Sequence, residues 1–165
     1  MKQFLILVAF FLPLSVLSQD CKLSKETDPY TRETKLSSGF IYLDGASVTI
    51  DADSKEINFL FSVEGSDKCF DDNSTIEVYF EGIKAKTGSR NAGTMNCEGL
   101  VQLVYKNSNN TPTTLLQRFC TKKVTKIIIV GNSKKPITIN IGPKEQEALM
   151  ALANCIVNEG RKLIK

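Results

Sequence analysis

The sequence has no histidine and no tryptophan, and its 165 residues include only 10 glycines, 5 prolines and 3 methionines. Without an imidazole, Ser-His-Asp and Cys-His nucleophile systems and His-ligated metal centres are excluded. The few glycines and a hydrophobic share of 42% exclude collagen, coiled coil and wholesale disorder. Charge of one sign is also scarce. Lys and Arg number 21 against 18 Asp and Glu, a balance that implies no particular partner and gives no reason to expect nucleic acid.

Long apolar runs are confined to the start of the chain. Lys2 is followed by Phe4 through Leu12, then Pro13, with small residues at Val16 and Ser18. A positive end, a short apolar stretch and a small-residue cleavage site describe a secretory signal at residues 1–18, cut before Gln19. The stretch falls short of the roughly 17–25 residues of a membrane anchor. Acylation of Cys21 is disfavoured because Asp20 stands where a lipoprotein signal wants a small residue. Residues 19–165 are therefore expected to form one secreted or periplasmic domain with no membrane span.

What the sequence does have is cysteine: Cys21, Cys69, Cys97, Cys120 and Cys155. In an oxidising compartment most should pair, and two bonds with one leftover can be arranged in fifteen ways, five leftovers times three pairings. Local context favours one arrangement. Cys69 and Cys97 lie in polar, loop-like segments on either side of an expected hairpin. Cys21 at the mature N-terminus and Cys155 near the end of a helix would tether the two termini. Cys120 follows Leu115, Leu116 and Phe119 and is expected to be a free, buried thiol. No C-x-x-C spacing occurs, so thiolate metal ligation has no motif to support it.

Residues 22–38 are polar and mixed, and are expected to cross the surface before the first strand. Phe40 to Leu43, the turn Asp44-Gly45 and Val48 to Ile50 form a hairpin signal. Ile57, Phe59, Phe61 and Val63 alternate with period two, as do Ile76, Val78 and Phe80, the latter expected to pair with Ile83 to Lys86. Leu100 to Tyr105 is another strand, and Val124 to Val130 a β-branched strand expected to be buried on both faces. Thr111-Pro112 should open a short helix, with Thr111 as its cap. Ile137, Ile139 and Ile141 alternate in a last strand. Gly142-Pro143 starts a C-terminal helix whose apolar stripe is Leu149, Leu152, Ala153 and Ile156, with Gly160 ending it. The fold class is mainly β, α+β: seven or eight strands in an antiparallel sandwich-like assembly, with one short helix and a packed C-terminal helix.

Candidate chemistry is sparse. Asp51 with Asp53, and Asp67 with Asp71 and Asp72, are the acidic groupings, but neighbouring loop acids do not make the opposed pair a glycosidase needs. Asp51 to Lys55 lacks the length, glycine and closing Glu of a calcium loop. Lys122, Lys123, Lys126, Lys134 and Lys135 are expected to be solvated ends flanking a strand. Gly88, Gly93 and Gly99 do not form a phosphate-cradling loop. The Asn73-Ser74-Thr75 and Asn109-Asn110-Thr111 sequons carry meaning only in a eukaryotic secretory pathway. No catalytic, cofactor or metal residue is nominated.

With Cys21, Asp28-Pro29-Tyr30-Thr31, Cys69, Asn96-Cys97-Glu98-Gly99 and Cys155-Ile156, the chain resembles a family of small, uncharacterised exported bacterial proteins. The resemblance implies export, the extent of the domain and the disulfides. It is silent on activity, and Arg32 stands where the resemblance implies glycine. The functional expectation is a non-enzymatic module binding a protein or surface glycan through sheet edges or loops, Asn91–Gly99 and Asn107–Thr113 above all. The alternatives are a carboxylate-dependent hydrolase or lyase using Lys or Tyr, and an inhibitor or immunity-type partner of another secreted protein.

Overall fold

The computed structural model describes residues 21–66 and 68–164, so the leader expected at 1–18 and Asp67 lie outside the described residues. Ten strands and two helices follow in the order β1 (Ser24–Thr27), β2 (Thr34–Ser37), β3 (Ile41–Leu43), β4 (Ala46–Ala52), β5 (Glu56–Val63), β6 (Thr75–Phe80), β7 (Thr87–Arg90), β8 (Leu100–Lys106), α1 (Thr114–Thr121), β9 (Val124–Val130), β10 (Pro136–Asn140) and α2 (Pro143–Arg161). Every strand pair is antiparallel. The class expected from sequence is the class observed.

The first sheet runs β1-β2-β4-β5-β8, with β3 beside β4 on the edge that β2 begins. β2 pairs with Asp51 and Ala52, and β3 pairs with Ala46 to Val48. Ser38 closes the gap between them. Its N–H donates to the Ile50 carbonyl, and its hydroxyl accepts from the Ile50 N–H, both at 2.9 Å. At the other end the Leu43–Ala46 pair is closed by Asp44-Gly45, and Gly45 has φ 77°, the left-handed conformation such a tight loop requires. The second sheet runs β10-β9-β6-β7, with a register shift at Tyr79/Phe80.

Alternation decides which face is dry. Val48 and Ile50 of β4, Phe59 and Phe61 of β5, and Leu103 of β8 point into the core from the first sheet. Ile76, Val78, Ile127 and Ile129 do so from the second, in the same cluster. Phe119 of α1 joins the two sheets: its ring lies 4.6 Å from that of Phe59 and 5.6 Å from that of Phe80. α2 lays Leu149, Ala153, Ile156 and Val157 against the first sheet, β9 and α1.

Several local expectations are corrected. Residues 22–38 contain the β1–β2 hairpin; β1 is exposed throughout, so no alternation marked it. The partner of β6 begins at Thr87, beyond the Ile83–Lys86 stretch. Ile128 and Val130 are half-buried, so β9 hides one face and not both. Thr113, not Thr111, caps α1, its hydroxyl accepting from the Leu116 N–H. Gly160 lies inside the last turn of α2, pressed against Ala52, and does not end the helix.

Candidate functional site

The cysteines fall as the sequence context indicated. Cys21 and Cys155 are at disulfide distance with Cα atoms 5.9 Å apart, and so are Cys69 and Cys97. Cys120 is free. It is half-buried on α1, which corrects the buried position expected. Desolvation pushes its thiol up to about 11, with the Arg161 charge pulling weakly the other way. A thiol held protonated at neutral pH is not an activated nucleophile.

The acids disperse into structural duties. Asp51 pairs with Lys35 at 3.1 Å. Asp53 turns inward on its own loop, its carboxylate accepting from the Lys55 and Glu56 N–H groups. Asp71 does the same for Asn73 and Ser74, and Asp72 accepts from the Asn73 amide. Among the described residues no group of three His, Cys, Asp or Glu side chains is placed to hold a metal ion. The lysine grouping does not converge either. Lys123 pairs with Glu147 at 2.8 Å, and Lys126 sits 4.4 Å above the Tyr79 ring, whose hydroxyl donates to Glu77, itself paired with Lys86. The Lys86 ammonium holds the Glu77 carboxyl below its ordinary range.

Both loops nominated for contact are anchored by buried asparagines and exposed beyond them, at Thr94 and Met95 in one and at Asn109 to Thr111 in the other. Asn91 is 3% exposed. Its side chain accepts from the Gln102 and Gly93 N–H groups and donates to the Asp71 carbonyl at 2.9 Å. With the Ala92 N–H on the Gln102 carbonyl, this segment covers the outer edge of β8 and ties it to the loop leading into β6. Asn96 is locked similarly, its side chain accepting from Leu100 N–H and donating to the Leu100 carbonyl. Asn107 is 4% exposed and bonded to two separate elements.

What sequence reading missed is the other face of the first sheet. Phe40 and Tyr42 point away from the core, 66% and 75% exposed, their rings stacked with centroids 6.2 Å apart. Register extends this pair across the sheet. Tyr42 stands beside Ser47, then Ser62, then Leu100. The next row holds Thr49, Leu60 and Gln102, with Phe40 at its β3 end, since Ile41 pairs with Val48. These floor residues are half-buried, and the Gly93–Met95 loop borders them at Gln102, with Met95 exposed. The signal was present: Phe40 and Tyr42 flank Ile41 at period two, so burying Ile41 had to expose both rings.

Depressions among the described residues lie elsewhere. One of about 580 Å³ is lined by Thr31 to Thr34, Ser54 and Lys162 to Ile164; one of about 110 Å³ adjoins Asp51 and Asn58; one of about 450 Å³ adjoins Asp71 and Asn132. In the last of these the Ser74 hydroxyl donates to the Asp71 carboxylate at 3.1 Å, but Ser74 is 2% exposed and the same carboxylate caps its turn by accepting the Asn73 and Ser74 N–H groups.

No family model, curated protein or solved structure matches this chain. Among the described residues no helix is long and apolar enough to cross a membrane.

Proposed function

We propose that this chain is an exported, disulfide-stabilised binding module with no catalysis of its own, docking its partner on the outer face of the first sheet. The observation that carries the reading is the stacked Phe40–Tyr42 pair, two large rings held in water by a rigid edge strand. Exposed aromatics on a preorganised surface anchor recognition because they bring large contact area at little cost in rotamer entropy. The dispersal of Asp51, Asp53, Asp71 and Asp72 into ion pairs and turn caps supports binding over carboxylate chemistry. Two disulfide-distance pairs fit an oxidising compartment, which agrees with the leader seen in the sequence.

The test is retention of purified chain on its own cell-envelope fraction. Phe40→Ala/Tyr42→Ala should lose at least tenfold in retention while Tyr30→Ala, at a still more exposed ring on the β1–β2 turn, does not. Equal retention of both variants, or no retention of the parent chain, overturns the reading.

A further inference from the structure

We infer that the occupant of this face is a neutral carbohydrate chain, an inference that rests on the docking role just proposed. Its ground is the chemistry of the two rows running from Phe40 and Tyr42 to β8. They present Ser47, Thr49, Ser62 and Gln102 among apolar side chains, and no charged side chain stands in them. Charges stand only outside the two rows: Asp51 and Lys35 pair with each other beyond the Thr49 row, Lys106 lies farther along β8, and Glu64 lies two residues beyond Ser62.

A sugar ring has an apolar C–H face and a rim of uncharged hydroxyls. The stacked rings of Phe40 and Tyr42 match the first, and the Tyr42 hydroxyl with the Ser, Thr and Gln groups matches the second. An anionic polymer would meet no cation within these rows to offset its desolvation, and Lys35 beyond them is already paired with Asp51. A globular protein partner needs on the order of 800 Å² of this chain with an apolar centre, whereas beyond the two rings the half-buried Leu60 and Leu100 are interspersed with Ser47, Thr49, Ser62 and Gln102. Four strands at about 4.8 Å spacing make the rows roughly 14 Å long, which suits more than one sugar ring lying flat.

The experiment is affinity electrophoresis of the mature, oxidised chain through gels containing a soluble neutral glucan, xylan or mannan, with polygalacturonate as the anionic comparison. At least one neutral polymer should retard the chain, polygalacturonate should not, and Phe40→Ala/Tyr42→Ala should weaken retardation at least tenfold. Gln102→Ala should weaken it by a smaller factor. Both rings are exposed, so the double variant should keep its far-ultraviolet circular dichroism. Absence of retardation by all three neutral polymers overturns the carbohydrate assignment, as does retardation that the double variant retains. If envelope retention still depends on Phe40 and Tyr42 while no glycan retards the chain, the docking face stands and its occupant is a protein. Self-association lost in the same variant would identify a second copy of this chain as the occupant.

Discussion

Asn107 ties the end of β8 to the last turn of α2: its Nδ2 donates to the Gly160 carbonyl at 2.8 Å and to the Asp53 carbonyl at 2.7 Å. Its own N–H bonds the Lys55 carbonyl at 2.8 Å. One buried amide thus joins the β4–β5 turn, the exit of β8 and the C-terminal helix, five residues beyond Cys155. The helix approaches closely enough only because residue 160 has no side chain; a Cβ there would stand 3.0 Å from that of Ala52.

Asn107→Leu should therefore destabilise the fold by about 1–3 kcal/mol, since two carbonyls lose a buried donor. Asn109→Leu, two residues on and exposed, should stay within roughly 0.5 kcal/mol. Gly160→Val should cost about 1–3 kcal/mol by overpacking, and Ala52→Gly in the same chain should recover part of it. Urea unfolding midpoints check this. Equal midpoints for Asn107→Leu and Asn109→Leu would dissolve the idea of a clamp.

Arg32 has φ 56° at the end of the β1–β2 turn, where Asp28 accepts the Tyr30 and Thr31 N–H groups at 2.7 and 2.8 Å. A left-handed conformation costs a side-chain-bearing residue about 1–2 kcal/mol, of which glycine's unfolded-state entropy takes back about 0.5–1. Arg32→Gly should then stabilise by about 0.5–1 kcal/mol and Arg32→Val should destabilise, both read from thermal midpoints. The amide bonds, that of Thr31 first, hold the Asp28 carboxyl below its ordinary range. That support is present above the usual carboxylate pKa and is lost as pH falls through the lowered value.

These two sites show why some of the molecule was legible in sequence and some was not. Strands such as β4 and β5 bury one face, so their alternation states both the element and its orientation. β1 buries nothing and is held by β2 and a turn, which leaves no hydrophobic period to read. Asn107 and Gly160 looked like a loop tip and a helix stop because polarity and lack of a side chain suit those roles locally; only packing over more than fifty residues of chain gives them their actual ones. The aromatic face was hidden by the same logic. Phe40 and Tyr42 read only as part of an extended run, and sequence does not say which of its rings lack a cover.

Thiol counting checks the covalent frame. In denaturant without reductant one thiol, Cys120, should react, and all five should react after reduction. In the native state Cys120 should alkylate slowly. With its thiol raised from 9.0 to about 11, the thiolate at a given neutral pH is ~100-fold scarcer than for an ordinary cysteine, and the rate should climb about tenfold per pH unit. Linkage runs in the same sense: between pH 9.0 and about 11 only the unfolded chain gives up this proton, so Cys120 lowers stability across that window. A native alkylation rate that is flat with pH, or more than one thiol before reduction, contradicts the arrangement.

Phe119 makes the strongest demand on the fold, because its ring is the aromatic contact shared by Phe59 of the first sheet and Phe80 of the second. Truncating it removes a fully buried ring from the junction and leaves a cavity that the two sheets must either keep or close by shifting together. Phe119→Ala should cost about 3–5 kcal/mol. A simple loss of hydrophobic area would act on each neighbour separately, whereas a shared junction couples them. Phe59→Leu and Phe80→Leu should therefore each be clearly non-additive with Phe119→Leu, by at least about 0.5 kcal/mol in a double-mutant cycle. Additivity in both cycles would mean that the sheets are held together elsewhere, and that α1 only covers their ends.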